Sequence, residues 1–356
     1  MRTVDLSRQD EAAIRSALLV WFRRNARSLP WRKSRDPYAV WVSEVMLQQT
    51  QVATVIPYYQ RFLEAFPTVA ELAAAPLERI LELWSGLGYY RRARYLHRAA
   101  KEVVRRFAGA FPQDYERIRS LPGIGDYTAR AILSIAFDLP YTLLDGNVAR
   151  VLARLTALKG NLHQLGFRRT VEAQLARWLS PQHPGDFNQA LMELGQTLCL
   201  PRTPQCAACP VRSWCRGYES GQPHLYPQPR PRRAVESHYL AAAILRCGRR
   251  VAMVRGLGDG LLDDLWNFPS AFGRSPTEAL ASLRHLLAGL MSPSLTLLDS
   301  VAELHHGITY RSIRVHAYPA EVSRLPRKRG LRWFVVSSLG QAAISQLARK
   351  IAQQAF

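Results

Sequence analysis

Two carboxylates, Glu44 and Asp145, lie in sequence surroundings that favour opposite protonation states. Glu44 is flanked by Trp41, Val45 and other apolar residues on a predicted helix, where loss of water would raise its pKa and keep it protonated near neutral pH. Asp145 lies where another helix is predicted to begin, so backbone N–H groups and the helix dipole would favour its ionised form. Such a pair can cleave a glycosidic bond, because one acid protonates the leaving group and the other stabilises positive charge on the sugar. Taken singly, each residue also fits a plainer role, a solvated helix glutamate or a capping aspartate.

A turn with two glycines separates two predicted helices, residues 115–120 and 128–137. Gly123 and Gly125 can adopt backbone angles that other residues avoid, and they let a ligand approach the main chain closely. The N–H groups at the start of the second helix would then offer a site for a phosphate. Many plain turns between helices also contain glycine, so an ordinary helix connection is the alternative.

Four of the five cysteines lie within 17 residues, at Cys199, Cys206, Cys209 and Cys215. Thiolates this close together can converge on one metal centre, which suits a reducing compartment better than disulfides do. The spacing alone leaves open a structural zinc ion, an iron–sulfur cluster or unliganded core cysteines. The loops between these cysteines are basic, so a metal centre could stiffen a segment that contacts DNA without any redox role. Cys247 lies outside this group and is predicted to be a buried thiol.

Residues 86–92 combine two glycines, two tyrosines and two arginines. Such a segment suits a wedge in DNA, in which one ring enters between stacked bases while the arginines hold phosphates. A pair of core tyrosines beside a turn is the alternative.

The first 222 residues are predicted to form a mainly helical domain. Asp36 followed by Pro37 predicts a helix start, Thr68 and Glu71 predict a capping box, and Pro57 is expected to separate two helices. The helices are predicted at residues 11–23, 36–51, 77–85, 93–107, 115–120, 128–137, 148–158, 167–178 and 187–199.

The composition changes after residue 222. Residues 223–236 are predicted to be a linker, extended over its proline- and arginine-rich part up to residue 233. Residues 237–356 are predicted to form a smaller α+β domain. Its strands are predicted at residues 239–245, 250–254, 295–304, 313–318 and 333–336, and its helices at residues 276–289 and 341–355.

The charge balance indicates a polyanionic partner. Lys and Arg number 48 against 27 acidic residues, which gives a formal net charge of +21 and favours nucleic acid. The sequence shows neither a leader-like apolar run near its start nor a stretch of about 18 apolar residues. We therefore expect a soluble cytoplasmic protein, monomeric and of bacterial type, that associates with the nucleoid through DNA and not with a membrane.

These motifs together resemble the helix-hairpin-helix DNA glycosylase superfamily and, within it, the adenine DNA glycosylases. The resemblance is dense over residues 18–225 and looser beyond them. Residues 41–52 are its most specific part, and residues 144–148 match the segment that bears the essential aspartate of the superfamily. The cysteine spacing over residues 199–215 matches the one that binds a 4Fe-4S cluster there, so the resemblance implies this cofactor.

The resemblance also implies roles for individual residues. Glu44 would protonate adenine at N7, and Asp145 would stabilise the oxocarbenium ion or its covalent adduct. Tyr127 and Asn147 would support the same charge. The flipped adenine would be lined by Trp31, Arg32 and Gln189, and DNA would be contacted by Gln48, Gln49, Tyr89, Gly123, Gly125 and Thr309.

Tyr127 separates two kinds of enzyme within the superfamily. Relatives resembling endonuclease III carry a lysine nucleophile at this position and lack a glutamate at the position of Glu44. The resemblance therefore implies a monofunctional enzyme, which releases adenine paired with 8-oxoguanine or guanine in double-stranded DNA and leaves the strand intact. The rivals are an endonuclease III-like pyrimidine glycosylase with lyase activity and a DNA-binding protein without catalysis.

The C-terminal part resembles the Nudix-like domain with which adenine DNA glycosylases recognise 8-oxoguanine. Residues 265–269 fit its aromatic and proline stretch. The sequence lacks the glutamate-rich helix of hydrolytic Nudix proteins, so we do not expect pyrophosphatase activity. The recognition loop of the family contains Phe-Ser-His, where this chain has Ile308, Thr309 and Tyr310. Thr309 would keep the hydroxyl, whereas Ile308 and Tyr310 replace the Phe and the His.

Overall fold

The computed structural model describes residues 6–229, 234–256, 265–290, 295–308, 310–323, 330–340, 342 and 344–356. The chain divides into two compact units. The first comprises Met1–Ala74 and Tyr95–Pro231, and the second comprises Ala75–Arg94 and Arg232–Phe356. A short segment from the helical part of the sequence therefore belongs to the same unit as the sheet.

The first unit consists of α-helices and short turns. The helices that precede the sheet are α1 (Arg8–Asn25), α2 (Pro37–Leu47), α3 (Val52–Ala65), α4 (Val69–Ala74), α5 (Leu77–Leu83), α6 (Arg91–Phe107), α7 (Tyr115–Arg119), α8 (Asp126–Ala131), α9 (Gly146–Leu155), α10 (Leu165–Trp178), α11 (Pro184–Thr197) and α12 (Arg216–Glu219). Of these, α5 and the first turn of α6 belong to the second unit. A π-helical segment, Ile132–Ala136, extends α8. The predicted capping box is confirmed, since Thr68 and Glu71 exchange hydrogen bonds before α4.

The helix that carries Glu44 is shorter than the sequence predicted. It begins after the Asp36 cap, as expected, but it ends at Leu47 and not at residue 51. The prediction also missed α3, because Pro57 lies inside that helix instead of separating two helices. A proline removes one helical hydrogen bond, but burial of an apolar face can still hold the helix together, and α3 buries such a face.

One core cluster of the first unit forms where α1, α9, α10 and α11 pack together. This packing brings the start of α9, with Asp145, close to α11. Gly195 on α11 permits the approach, because a Cβ atom there would lie 2.8 Å from the Cβ of Asn147. The predicted site residues of two distant helices are thereby held side by side.

The second unit is built on a mixed sheet of seven strands with a helix on each face. The strands are β1 (Glu236–Cys247), β2 (Arg250–Arg255), β3 (Trp266–Asn267), β4 (Ser270–Gly273), β5 (Ala302–Ile308), β6 (Arg311–Glu321) and β7 (Leu331–Val335). Their order is β3-β2-β1-β6-β5, with β4 also on β1 and β7 also on β2, and only the β1–β6 pair is parallel among the described pairs.

Both faces of this sheet are buried by helices α13 (Pro276–Leu290) and α14 (Gln346–Ala355). Leu240 and Ile244 of β1 pack in the cluster that contains α14, whereas Ala241 and Leu245 pack in the cluster that contains α13. This alternation follows from the two-residue period of a strand. Within the described residues no helix has the length and apolar character needed to cross a membrane.

The predicted fold class, a mainly helical domain followed by a smaller α+β domain, is confirmed. Details differ in the second half of the chain. The strand expected at residues 295–304 begins only at Ala302, β3 and β4 were missed, and the last helix begins at Gln346. Residues 223–225, expected to be extended, form a 3₁₀ turn.

Candidate active site

Glu44 on α2 lines a cavity of about 50 Å³ in the first unit. Trp31, Arg32 and Gln189, which were predicted to surround adenine, line the same cavity. They come from a 3₁₀ turn before α2 and from α11, so the fold brings together segments that are distant in the chain. The cavity therefore joins the predicted acid to the predicted base pocket.

The surroundings of Glu44 bring its titration close to neutral pH. Its pKa is raised to about 7, mainly by burial and further by the negative charge of Asp145, so a large part of the carboxyl is still protonated at pH 7. A hydrogen bond with Tyr127 and the positive charge of Arg32 act in the opposite direction. The predicted rise is confirmed, and the alternative of a solvated helix glutamate is wrong.

Asp145 is the N-cap of α9, as the sequence predicted. One oxygen of its carboxylate accepts a hydrogen bond of 2.7 Å from the Val148 amide, and the other accepts one of 2.9 Å from the Asn147 side chain. Arg150 in turn donates to the Asn147 side-chain oxygen at 2.9 Å. The carboxylate is thus held in a fixed orientation by donors on the first turns of its own helix.

Tyr127 on α8 interacts with both carboxylates. Burial raises the pKa of its phenol well above the ordinary value, and the charges of Glu44 and Asp145 raise it further. The hydroxyl oxygen also lies 3.4 Å from the Met192 sulfur. A neutral phenol therefore lies within reach of Glu44 and Asp145, as expected for a residue that supports the same charge.

Arg32 is held in the cavity wall by a buried ion-pair network. Its guanidinium donates to Glu193 at 2.9 Å and to Gln189 at 3.2 Å. Arg27 donates to the same Glu193 carboxylate through two nitrogens, at 2.7 and 2.9 Å. Although burial opposes ionisation of Glu193, these hydrogen bonds keep its pKa below the ordinary value. The two arginines and one carboxylate fix the position of Arg32 against the pocket.

The predicted hairpin is formed by α7, a turn and α8, and its two glycines differ. Gly123 has φ +77°, and a Cβ atom there would collide with the Tyr95 side chain. Gly125 has φ −84° and open space around its Cβ position. The expectation of a special backbone conformation is therefore confirmed for Gly123 and is wrong for Gly125.

Gln48 and Gln49 lie beyond the end of α2 in a turn, although the helix was predicted to continue to residue 51. Both are exposed, and Gln49 has φ +55°. The Gln48 amide nitrogen lies 3.4 Å from the Thr128 hydroxyl on α8. The end of α2 therefore presents two amide side chains beside the helix that follows the hairpin.

Tyr89 belongs to the second unit and is exposed, with 48% of its surface accessible. Its backbone has φ +48°, and the glycines at 86 and 88 also have positive φ. Tyr90, in contrast, is buried. Thr309, the other predicted DNA contact of this unit, lies outside the described residues.

The four clustered cysteines line one cavity of about 30 Å³ in the first unit. None of them forms a disulfide. Burial raises the pKa of the Cys206, Cys209 and Cys215 thiols, to about 12 for Cys209. The described part of the chain contains no group of three or more His, Cys, Asp or Glu side chains that could hold a metal ion. Cys247 is half-buried and lies elsewhere, so the prediction of a buried thiol there is wrong.

Arg154 on α9 lines the same cavity and is almost fully buried, with 2% of its surface accessible. Its guanidinium donates to the Cys199 sulfur at 3.3 Å. It also donates to backbone carbonyls on both sides of the cysteine loop, those of Leu200, Pro201, Pro223 and Tyr226. The loop is therefore tied to α9 by one buried cation.

The chain matches known proteins over nearly its whole length. Residues 42–181 match the family described as HhH-GPD superfamily base excision DNA repair protein. The adenine DNA glycosylase of Rattus norvegicus is 36% identical, over 96% of this chain and 78% of that one. The adenine DNA glycosylase of Homo sapiens is 35% identical, over 95% of this chain and 73% of that one. This chain belongs to the adenine DNA glycosylase family.

Solved structures related to this adenine DNA glycosylase family member cover its helical part. A thermostable thymine-DNA glycosylase superposes with a TM-score of 0.54 and 25% identity, covering 61% of this chain and all of that one. A complex of endonuclease III with DNA superposes with a TM-score of 0.52 and 24% identity, covering 61% of this chain and 99% of that one. The helical fold is therefore the one shared by these DNA glycosylases.

The sequence analysis of this family member did not identify three residues that hold the cavity wall or the cysteine loop in place. Arg27 and Glu193 form the ion pairs behind Arg32, and Arg154 holds the cysteine loop. The spacing of Gln189 and Glu193, four residues apart on α11, places both on one helix face and could have suggested the pairing. No pattern around Arg154 indicates its burial.

Proposed function

We propose that this protein is a monofunctional adenine DNA glycosylase of base excision repair. Its substrate would be adenine paired with 8-oxoguanine or guanine in double-stranded DNA. The observation that supports this proposal most strongly is the Glu44 carboxyl. It lines a cavity, it interacts with Asp145 and Tyr127, and its pKa is about 7. Membership of the adenine DNA glycosylase family supports the choice of base.

The adenine must leave the duplex before its glycosidic bond is accessible. A flipped base would enter the cavity lined by Glu44, Trp31, Arg32 and Gln189. A mispair reduces the cost of unstacking, which favours adenine opposite a wrong partner. The wall held by Glu193 would keep Arg32 and Gln189 ready to contact the base edge.

Glu44 acts as the general acid in this proposal. It donates its proton to N7 of adenine while the C1′–N9 bond breaks and its electron pair leaves with the base. Water then adds to C1′, and the proton that the water loses restores the acid. Proton donation of this kind contributes about 10²–10⁴-fold to a rate.

Asp145 stabilises the positive charge that develops on the sugar as the bond breaks. The Val148 amide and Asn147 fix its carboxylate, so little reorganisation is needed when the charge appears. The lone pair of the neutral Tyr127 phenol would support the same charge. This chain has no lysine at position 127 to attack C1′ and form a Schiff base, which argues against the endonuclease III-like lyase.

DNA would be held by both units. In the first, Gly123 and Gly125 of the hairpin would grip a phosphate, and Gln48 and Gln49 would contact the mispair. In the second, Tyr89 would enter the base stack beside 8-oxoguanine. We assign catalysis to residues 1–222 and lesion recognition, including Thr309, to the Nudix-like residues 237–356, joined by the linker at 223–236. The protein would act as a cytoplasmic monomer that reaches the nucleoid through DNA.

The cysteine spacing supports an iron–sulfur cluster, because it matches the spacing that binds a 4Fe-4S cluster in the superfamily. The four thiols line one cavity, and four cysteine thiolates are the ligand set of such a cluster as well as of a structural zinc ion. Arg154 places a buried positive charge beside them, which suits a cluster with net negative charge. We propose that Cys199, Cys206, Cys209 and Cys215 hold a 4Fe-4S cluster, which would fasten the loop. Arg202, Arg212 and Arg216 around this loop would then face DNA.

Single-turnover base release tests the proposal. Duplexes with adenine opposite 8-oxoguanine, guanine, cytosine or thymine are incubated with the wild-type protein, with Glu44→Gln and with the exposed-residue control Glu64→Gln. We expect release from the first two duplexes, a strand break only after alkali, and loss of release in Glu44→Gln alone. Binding without base release would instead indicate a non-catalytic DNA-binding protein, and breaks without alkali would indicate a lyase.

A further inference from the structure

The turn that carries Tyr89 has an unusual backbone. Gly86, Gly88 and Tyr89 have φ values of +100°, +78° and +48°, so three of four consecutive residues are left-handed. Such a conformation is unfavourable for tyrosine and persists only where the surroundings impose it. The conformation projects a large, half-exposed ring from the protein surface.

Arg92 on the first turn of α6 supplies much of this constraint. Its guanidinium lies 5.4 Å from the centre of the Tyr89 ring and 5.5 Å from that of the buried Trp84. It also donates to the carbonyls of Leu87 at 3.3 Å and Gly88 at 3.1 Å. One side chain therefore holds both the backbone and the ring of the turn.

Trp84 also holds the backbone of this turn. Its indole nitrogen donates to the Gly88 carbonyl at 3.0 Å, and its side chain is fully buried. Burial lowers the pKa of Arg92 to about 10, which leaves the guanidinium charged at neutral pH. The structure thus gives Arg92 a role within its own turn, beside the phosphate contact that the sequence predicted for both arginines.

We propose that Arg92 is a positioning residue that holds Tyr89 in the conformation required to enter DNA. This inference rests on the proposed function, in which Tyr89 opens the base stack. A pre-formed wedge costs less on binding than one that must be ordered in the complex. Arg92 therefore acts on base flipping through Tyr89 and not on bond cleavage.

A double-mutant cycle tests this role. Arg92→Met, Tyr89→Ala and the double variant are compared with wild type and with Arg79→Met, which removes a charge from an exposed ion pair with Glu82 in the same unit. Base unstacking is followed by the fluorescence of 2-aminopurine placed next to the target adenine, and base release by single-turnover assay. Arg92→Lys, which retains the charge but lacks the planar fork, serves if Arg92→Met is poorly folded by circular dichroism.

We expect Arg92→Met to reduce unstacking and base release about tenfold, and the double variant to be no slower than Tyr89→Ala. Arg92→Lys should lie between wild type and Arg92→Met, and Arg79→Met should match wild type. The role would be overturned if the rate loss of the double variant equalled the product of the losses in Arg92→Met and Tyr89→Ala. It would also be overturned if Arg92→Met unstacked the base as the wild-type protein does. If the wild-type protein released no adenine, the proposed function would fail, while the fluorescence would still decide whether Arg92 holds the wedge.

Discussion

The negative charge of Asp145 raises the pKa of Glu44, adding to the larger effect of burial. The two residues lie on different helices, and the Tyr127 phenol interacts with both. Hydrogen bonds from Val148 and Asn147 fix the Asp145 carboxylate, while the raised pKa of about 7 lets Glu44 hold a proton close to neutral pH. One carboxyl group is thereby prepared to donate a proton and the other to face positive charge.

The rate of base release should follow the protonation of Glu44. With a pKa of about 7, the acid is protonated at pH 6 and ionised at pH 8, so we expect a plateau at low pH and a tenfold fall per pH unit above neutrality. Single-turnover rates between pH 5.5 and 9 measure this. A rate that is flat across neutrality would contradict the assignment of Glu44 as the acid.

Tyr127→Phe should shift this pH profile of base release to higher pH. The hydrogen bond with Tyr127 lowers the pKa of Glu44, so its removal should raise the pKa and extend activity to higher pH. The maximal rate should fall at the same time, because the lone pair near the developing charge is lost. The buried residue Tyr59, which lies on α3, provides the control variant Tyr59→Phe, whose profile should match that of the wild-type protein.

Glu44 should also make protein stability depend on pH. Its folded pKa of about 7 lies above the ordinary value of 4.5, so the stability that its protonated form provides is complete below pH 4.5 and is lost as the pH rises through 7. Glu44→Gln should therefore raise the melting temperature by about 2–4 °C at pH 8 and have less effect at pH 5. Thermal unfolding at the two pH values measures this, and equal shifts would argue against a buried, protonated Glu44.

The two glycines of the hairpin should tolerate alanine differently. Gly123→Ala places a Cβ atom into the Tyr95 side chain at a left-handed position, which should cost about 1–3 kcal/mol of unfolding free energy. Gly125→Ala, with open space and extended backbone, should change stability by less than about 0.5 kcal/mol. Urea unfolding of both variants provides the comparison, and equal losses would contradict it.

Arg154→Met should release the cysteine loop from α9. The change leaves partly buried carbonyls without their donor and removes the cation beside the thiols. We expect the purified variant to contain less iron and to absorb less visible light than the wild-type protein. Arg169→Met on the exposed face of α10 is the matched control. Unchanged iron content in Arg154→Met would show that the loop does not depend on this residue.

Local sequence signals predicted the elements that depend on neighbouring residues. Asp36 and Asp145 cap helices as expected, and Gly123 takes its left-handed conformation, because capping and turn preferences act over a few residues. The same local rules failed at Pro57, where burial of the apolar face of α3 outweighs the lost hydrogen bond.

The roles of two arginines, one at the Tyr89 turn and one at the cysteine loop, depend on contacts that no local sequence pattern encodes. Arg92 could hold a phosphate by sequence, but in the structure it donates to the carbonyls of its own turn. Arg154 could lie on a helix surface, but it is buried against the loop that contains Cys199. Their partners are set by the packing of whole elements.

The sequence by itself determined which residue types were available. These are an acid in an apolar helix and an aspartate at a helix start for catalysis, and four closely spaced cysteines for a cofactor. Only the tertiary structure decided that Asp145 and Tyr127 lie close enough to Glu44 to shift its pKa, and that Glu193 holds Arg32 in the wall of the cavity at Glu44. The physical reason is that the pKa of a carboxyl group depends on burial and on charges brought near it by packing. Those surroundings come from helices far apart in the chain.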